Sequence, residues 1–179
     1  MRKALVVGID NYSQCPLRGC CNDADEVAKL LSCNDDGSPN FAVKLQKNIS
    51  TKAILKKHIE ECFSGAADVA LFYYSGHGHI DNVGGYLVTP DFTNYDYGVS
   101  LQDVLNIANA SRCKDKIIIL DSCHSGFMGS ISTAGQSTAV INEGVTILTA
   151  SRSIEASVEI NGHGLFTSLL IEALCGGAA

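Results

Sequence analysis

Residues 68–78 read DVALFYYSGHG, and residues 116–126 read KIIILDSCHSG. Each begins as a run of apolar, β-branched or aromatic residues without polar alternation, the pattern of a strand buried on both faces. Each then breaks into Ser, Gly, His and, in the second, Asp and Cys. Strands covered on both faces belong to parallel sheets, which bind ligands in the crevice beyond the carboxyl ends of the strands. The two breaks are therefore strand ends and also the first place to seek chemistry.

Working outward, Lys3 to Ile9 (KALVVGI) and Val145 to Thr149 (VTILT) read as further buried strands, with another near Ala42 to Gln46. Segments of helical period lie between them. Asn22-Asp23 offers an N-cap for a helix with Val27, Leu30 and Leu31 on one face. Ser50 or Thr51 caps a second, with Ile54, Leu55, Ile59, Cys62 and Phe63 facing inward. Gly84 to Thr89 reads as a short extended piece after a glycine turn. Ser100-x-x-Asp103 resembles a capping box for a third helix through Ala108. Gly164 to Leu174 forms a final helix, stopped by Gly176-Gly177. This alternation predicts an α/β fold: a mostly parallel β-sheet flanked by helices on both faces. No repeat or linker divides the 179 residues, a length that suits one domain. The longest irregular stretch, His124 to Gly144, follows a strand directly, where loops of that length are functional or mobile.

Composition narrows the function classes. Thirteen Lys+Arg stand against 19 Asp+Glu, a net charge of −6. Phosphate contacts need clustered cations, so nucleic acid and anionic membrane are not expected partners. A cationic substrate is the more comfortable one. The start, Met1-Arg2-Lys3, meets Asp10 too soon for a signal peptide, and no apolar run approaches the roughly 18 residues of a membrane span. A cytoplasmic location follows as an expectation, with the eight cysteines as thiols. They contain no CxxC pair, so neither a zinc framework nor a disulfide framework is called for.

If the two strands are neighbours, His77 and Cys123 face one crevice from adjacent loops. A thiol is a poor nucleophile until deprotonated, and a nearby imidazole supplies that shift. The flanking glycines let the backbone N–H groups of Gly78 and Cys123 approach a developing oxyanion. Blander readings remain: a structural cysteine, a loop histidine, or a metal site at His77, His79 and His124, although that spacing is not distinctive.

At these residues the sequence resembles the caspase–metacaspase family of cysteine proteases, and most of all metacaspases and bacterial orthocaspase-type relatives. The segments that carry the resemblance are KALVVGIDNY, LRGCCNDADEVAKLL, DVALFYYSGHGH, GGYLVTPD, KIIILDSCHSG and TILTASRSIEASVEINGHGLFTSLLIEAL. They span nearly the whole chain in the family's order, and the pairing of SGHG with DSCHSG is specific. The QAC-type motif of classical caspases is absent.

The resemblance implies the caspase–hemoglobinase fold, with His77 and Cys123 as the catalytic dyad of a cysteine endopeptidase. It implies that Cys20, Asp23, Ser75 and Asp121 line the pocket for the residue before the scissile bond. Two carboxylates in one poorly solvated pocket select Arg or Lys and reject Asp, since like charges repel there. Asp23 as a plain helix cap and Asp121 as a plain strand end are the competing readings of those two residues. The implied partner is a protein or peptide with a basic residue before the cut. An activating protein or a fused recognition module is a further candidate. Two other functions stay open: a catalytically silent caspase-like scaffold, and an Asp-directed protease, for which Arg18 is the obvious nearby cation.

The chain departs from the family pattern in three places. Metacaspases that bind calcium carry an aspartate seven residues after the nucleophile, and here that position is Ser130. No cofactor is required by the chemistry, and calcium is an open alternative with Asp91 and Asp96 as candidate ligands. Relatives cut themselves after Lys or Arg following the nucleophile, yet no Lys or Arg occurs between Lys116 and Arg152. An enzyme active as one uncut chain, or switched on by a partner, is expected. Finally, relatives continue past the point where this chain ends in Gly176-Gly177-Ala178-Ala179. The expectation is a single peptidase domain over 1–179, shortened at its C-terminus, with a large-subunit-like part (1–130) and a small-subunit-like part (144–179).

Overall fold

The computed structural model describes residues 1–122, 142–150, 159–160 and 163–177. Its elements run β1 (Arg2–Gly8), α1 (Cys20–Ser32), β2 (Ala42–Lys47), α2 (Lys52–Phe63), β3 (Val69–Ser75), β4 (Gly78–Ile80) and β5 (Gly85–Thr93). There follow β6 (Asp96–Ser100), α3 (Leu101–Ala110), β7 (Asp115–Asp121), β8 (Val145–Thr149), β9 (Glu159–Ile160), β10 (His163–Gly164) and α4 (Leu165–Glu172). Cys123, His124 and Ser130 lie outside the described residues, as does most of the stretch from His124 to Gly144.

Five strands pair in the order β2-β1-β3-β7-β8, all parallel. The unbroken apolar runs are explained by cover on both faces. In β1, Leu5 and Val7 point to one face with α2 and α3, while Ala4 and Val6 point to the other with α1 and α4. Phe72 and Leu71 divide the same way in β3. Full burial of each such aliphatic side chain contributes roughly 1.5–3 kcal/mol. The α/β sheet with helices on both faces is the expected architecture.

The register fixes the site. Gly8 pairs with Ser75, and Ser75 pairs with Asp121, so the carboxyl ends of β1, β3 and β7 form one row. Parallel pairing means that the loops after all three leave the sheet at the same edge.

Several local expectations hold. Thr51 caps α2 by accepting the N–H of Ile54, and Ser100 caps α3 by accepting that of Asp103. Others are corrected. Ile54 is 41% exposed, and the buried face of α2 begins at Leu55. Helix α1 begins at Cys20 and is not capped by Asn22 or Asp23. The carboxylate of Asp10, beyond the end of β1, accepts the N–H groups of Cys20 and Cys21 at 2.9 and 3.1 Å. That distant cap places Asp23 inside the first turn, with its side chain free for another task. The extended piece near Gly84 belongs to a second, antiparallel sheet of β4, β5 and β6, which the sequence reading did not foresee.

Candidate active site

His77 sits two residues past β3, immediately before β4. Its backbone is held by two tyrosines. The hydroxyl of Tyr12 accepts the His77 N–H at 3.1 Å, and the hydroxyl of Tyr74 stands 3.0 Å from the His77 carbonyl. The hydroxyls are 3.1 Å apart and both reach the Val88 carbonyl. A Cβ on Gly76 would meet them at 2.6 and 2.7 Å, so the turn before His77 must be glycine. Burial pushes the Tyr12 and Tyr74 hydroxyls well above the usual phenol range, which keeps them as neutral donors and acceptors.

The His77 ring meets Tyr12 edge-on, with centroids 4.5 Å apart. Its Nε2 lies 2.7 Å from the carbonyl oxygen of Cys15. A carbonyl only accepts, so Nε2 carries the proton and Nδ1 is left as the basic nitrogen.

Beside His77 opens a cavity lined by Leu17, Cys20, Asp23, Ser75, Asp121 and Gly164 among others, with His77 and Ser122 at its wall. The four residues expected in the pocket are therefore brought together, from α1, β3 and β7. Asp23 is 1% exposed. Ser75 donates to its Oδ2 at 3.2 Å, and Nδ1 of His163 lies 2.9 Å from its Oδ1. The Gly164 N–H is 3.3 Å from both oxygens. Asp121 Oδ2 accepts the N–H of Thr167 at 3.2 Å and its hydroxyl at 2.5 Å. The Tyr73 hydroxyl, 2.6 Å away, then donates to Thr167. Gly164 has no room for a side chain: a Cβ there would lie 2.6 Å from Asp121 Oδ2.

Burial raises the Asp23 carboxyl to about 6. Hydrogen bonding to His163 opposes that rise, the charge of Asp121 adds to it, and the donors Gly164 and Ser75 again oppose it. Burial likewise pushes the Cys20 thiol far up, so Cys20 is a neutral wall and not a second nucleophile. Arg18 is exposed, between Leu17 and Gly19, which do line the cavity.

The remaining expectations fall elsewhere. Gly78 opens β4 opposite Leu87. Cys123, both as thiol and as backbone donor, lies outside the described residues. Asp91 accepts the N–H of Lys52 at 3.1 Å and the hydroxyl of Thr89 at 2.6 Å. Asp96 accepts the Lys52 ammonium at 2.7 Å. One lysine thus reaches both carboxylates, Asp91 by its backbone N–H and Asp96 by its ammonium. Among the described residues no group of three or more His, Cys, Asp or Glu could hold a metal ion. No described helix is long and apolar enough to cross a membrane.

Sequence reasoning missed Tyr12, Cys15, Tyr74, His163, Gly164 and Thr167. His163-Gly164 stood in the matching segment, yet nothing local tied it to Asp23, 140 positions earlier.

The carboxyl edge of a five-stranded parallel sheet thus carries a histidine and two carboxylates, and comparison with known proteins gives the family. The sequence model of the caspase domain, a peptidase family, matches residues 1–178, and the chain belongs to that family. Its peptidases are cysteine-type hydrolases that act on protein substrates. Among solved structures, caspase-1 from Spodoptera frugiperda has the same fold, with a TM-score of 0.66 and 16% identity. The match covers 97% of this chain and 68% of that one. Comparison with curated protein sequences gives no match.

Proposed function

We propose that the protein is a cysteine endopeptidase that cuts after Arg or Lys through Cys123 and His77. The observation that carries this reading is the pair Asp23 and Asp121 on a cavity whose wall includes His77. Desolvated carboxylates attract a guanidinium or ammonium and repel a carboxylate.

The chemistry is acyl transfer. Nδ1 of His77 takes the Cys123 thiol proton as sulfur attacks the carbonyl carbon. The N–H groups of Gly78 and Cys123 receive the oxyanion. His77 returns its proton to the departing amine as the C–N bond breaks, leaving a thioester. Water then attacks, His77 takes a proton from it, and the C–S bond breaks to free the acid and restore the thiol.

Residues 1–179 act as one peptidase domain, and the contact of Asp23 with His163 supports treating its early and late parts as one site. The seven described cysteines are free, which suits a reducing cytoplasm. The chain acts uncut, or is switched on by a partner protein or a fused recognition module, since the stretch from His124 to Gly144 holds no Lys or Arg to cut.

The test is cleavage of fluorogenic peptides bearing Arg, Lys or Asp before the bond. Turnover of Arg or Lys peptides that disappears in Cys123→Ala is expected. Turnover surviving that substitution overturns the dyad, and turnover of Asp peptides alone overturns the pocket assignment.

A further inference from the structure

We propose that His163 is a positioning residue of the specificity pocket, holding the buried Asp23 as a carboxylate for the incoming basic side chain. The proposal rests on the basic-specific reading above.

Asp23 has a conflicting task. It must be ionised to attract a cation, yet it is buried and shares its cavity with Asp121. Both conditions favour the protonated acid, which attracts a guanidinium only weakly. The groups facing it are Ser75 on β3, Asp121 on β7, Cys20 on α1, and His163 and Gly164 on β10. The Tyr73 hydroxyl on β3 also feels its charge. His163 is the one basic side chain in that set.

The geometry suits the task. His163 Nδ1–H donates at 2.9 Å in either protonation state of the ring, since the neutral Nδ1–H tautomer and the imidazolium both carry that proton. The ring is 30% exposed while the Asp23 side chain is 2% exposed, so the imidazole links a buried carboxylate at the cavity wall to solvent. An ionised carboxylate has about four lone-pair sites. His163, Ser75 and the Gly164 N–H shared between both oxygens are three donors, and the charge they hold in place attracts the substrate's cation. The causes shifting Asp23 agree: hydrogen bonding to His163 is the foremost one that favours the charged form.

The experiment measures kcat and KM separately from pH 5 to 9 on an Arg fluorogenic peptide, for wild type, His163→Ala and His163→Asn. In parallel, 13C NMR follows titration of the Asp23 carboxyl in each folded protein. Loss of the ring should move the acid limb of 1/KM upward by about one pH unit, raising KM about fivefold near pH 6 and about tenfold near pH 5, with kcat little changed. His163→Asn, whose amide nitrogen stands near the place of Nδ1, should restore most of the affinity. The Asp23 titration should move upward in His163→Ala by a similar amount. An unmoved KM profile with an unmoved titration overturns the proposal. A lower KM in His163→Ala also overturns it, because the ring would then be an occupant that competes with substrate. If the wild type cleaves no basic peptide, the specificity reading fails on its own, and the titration still decides the role of His163. Should His163→Ala not fold, His163→Leu, which fills the ring's place without a donor, is judged by the same two readouts: an unmoved KM profile with an unmoved Asp23 titration overturns the proposal.

Discussion

Tyr12 holds His77 twice, taking its backbone N–H on the phenol oxygen at 3.1 Å and meeting its ring edge-on at 4.5 Å. These residues come from the loops after β1 and β3, adjacent parallel strands, so the sheet itself sets their separation. Tyr12→Phe keeps the ring and removes the acceptor. A hydrogen bond of ~0.5–1.5 kcal/mol predicts a kcat reduced by about 2- to 13-fold, with KM unchanged. Steady-state kinetics on a basic peptide checks this, and an unchanged kcat would show that the hydroxyl does not position His77.

Asp23→Asn and Asp121→Asn should each weaken selection for a basic residue. Hydrogen bonds to charged groups contribute ~1.5–3 kcal/mol, so kcat/KM for Arg peptides should fall by about 10- to 150-fold. The loss should appear mainly in KM. Equal losses on a peptide with an uncharged residue before the bond would place these carboxylates outside the specificity pocket.

The same carboxylate should cost the fold stability. Its pKa of about 6 in the folded chain lies above the ordinary value of an unfolded aspartate. Above pH 6 the folded state holds an ionised acid that the unfolded chain solvates better, and this penalty fades as pH falls from 6 toward 4. Asp23→Asn should therefore raise the melting temperature most at pH 7 to 8, with the gain shrinking near pH 4. A gain that grows on acidification would contradict the assigned direction of the shift.

Lys52 bridges Asp91 and Asp96, the two candidate calcium ligands. Calcium or a chelator should leave the cleavage rate of the wild type unchanged. A clear calcium-dependent gain that persists in Asp91→Asn would locate a site elsewhere in the chain.

Between Lys116 and Arg152 there is no Lys or Arg. Intact-mass spectrometry of incubated protein should therefore find no cut within residues 124–144 while peptide turnover proceeds. A cut there would overturn either the basic specificity or the uncut active form.

The sequence by itself determined the sheet and the address of the site. Unbroken apolar runs such as VALFYY and KIIIL can only be buried on both faces, and their sudden ends at Ser75 and Asp121 mark a parallel sheet's binding edge. The caps at Thr51 and Ser100 were equally legible, because a cap is a bargain between residues three apart. The start of α1 was not, since its cap is Asp10, ten residues back and across a loop. Nor was Ile54 legible as exposed, because helical period marks an apolar stripe but not where its edge lies. Tertiary structure alone decided what Asp23 and Asp121 experience. Strand register set Asp121 beside Ser75, and the return of residues 163–167 put His163 and Gly164 on Asp23 and Thr167 on Asp121. Burial and charge act through distance in space, and no spacing along the chain records a contact made across 140 residues.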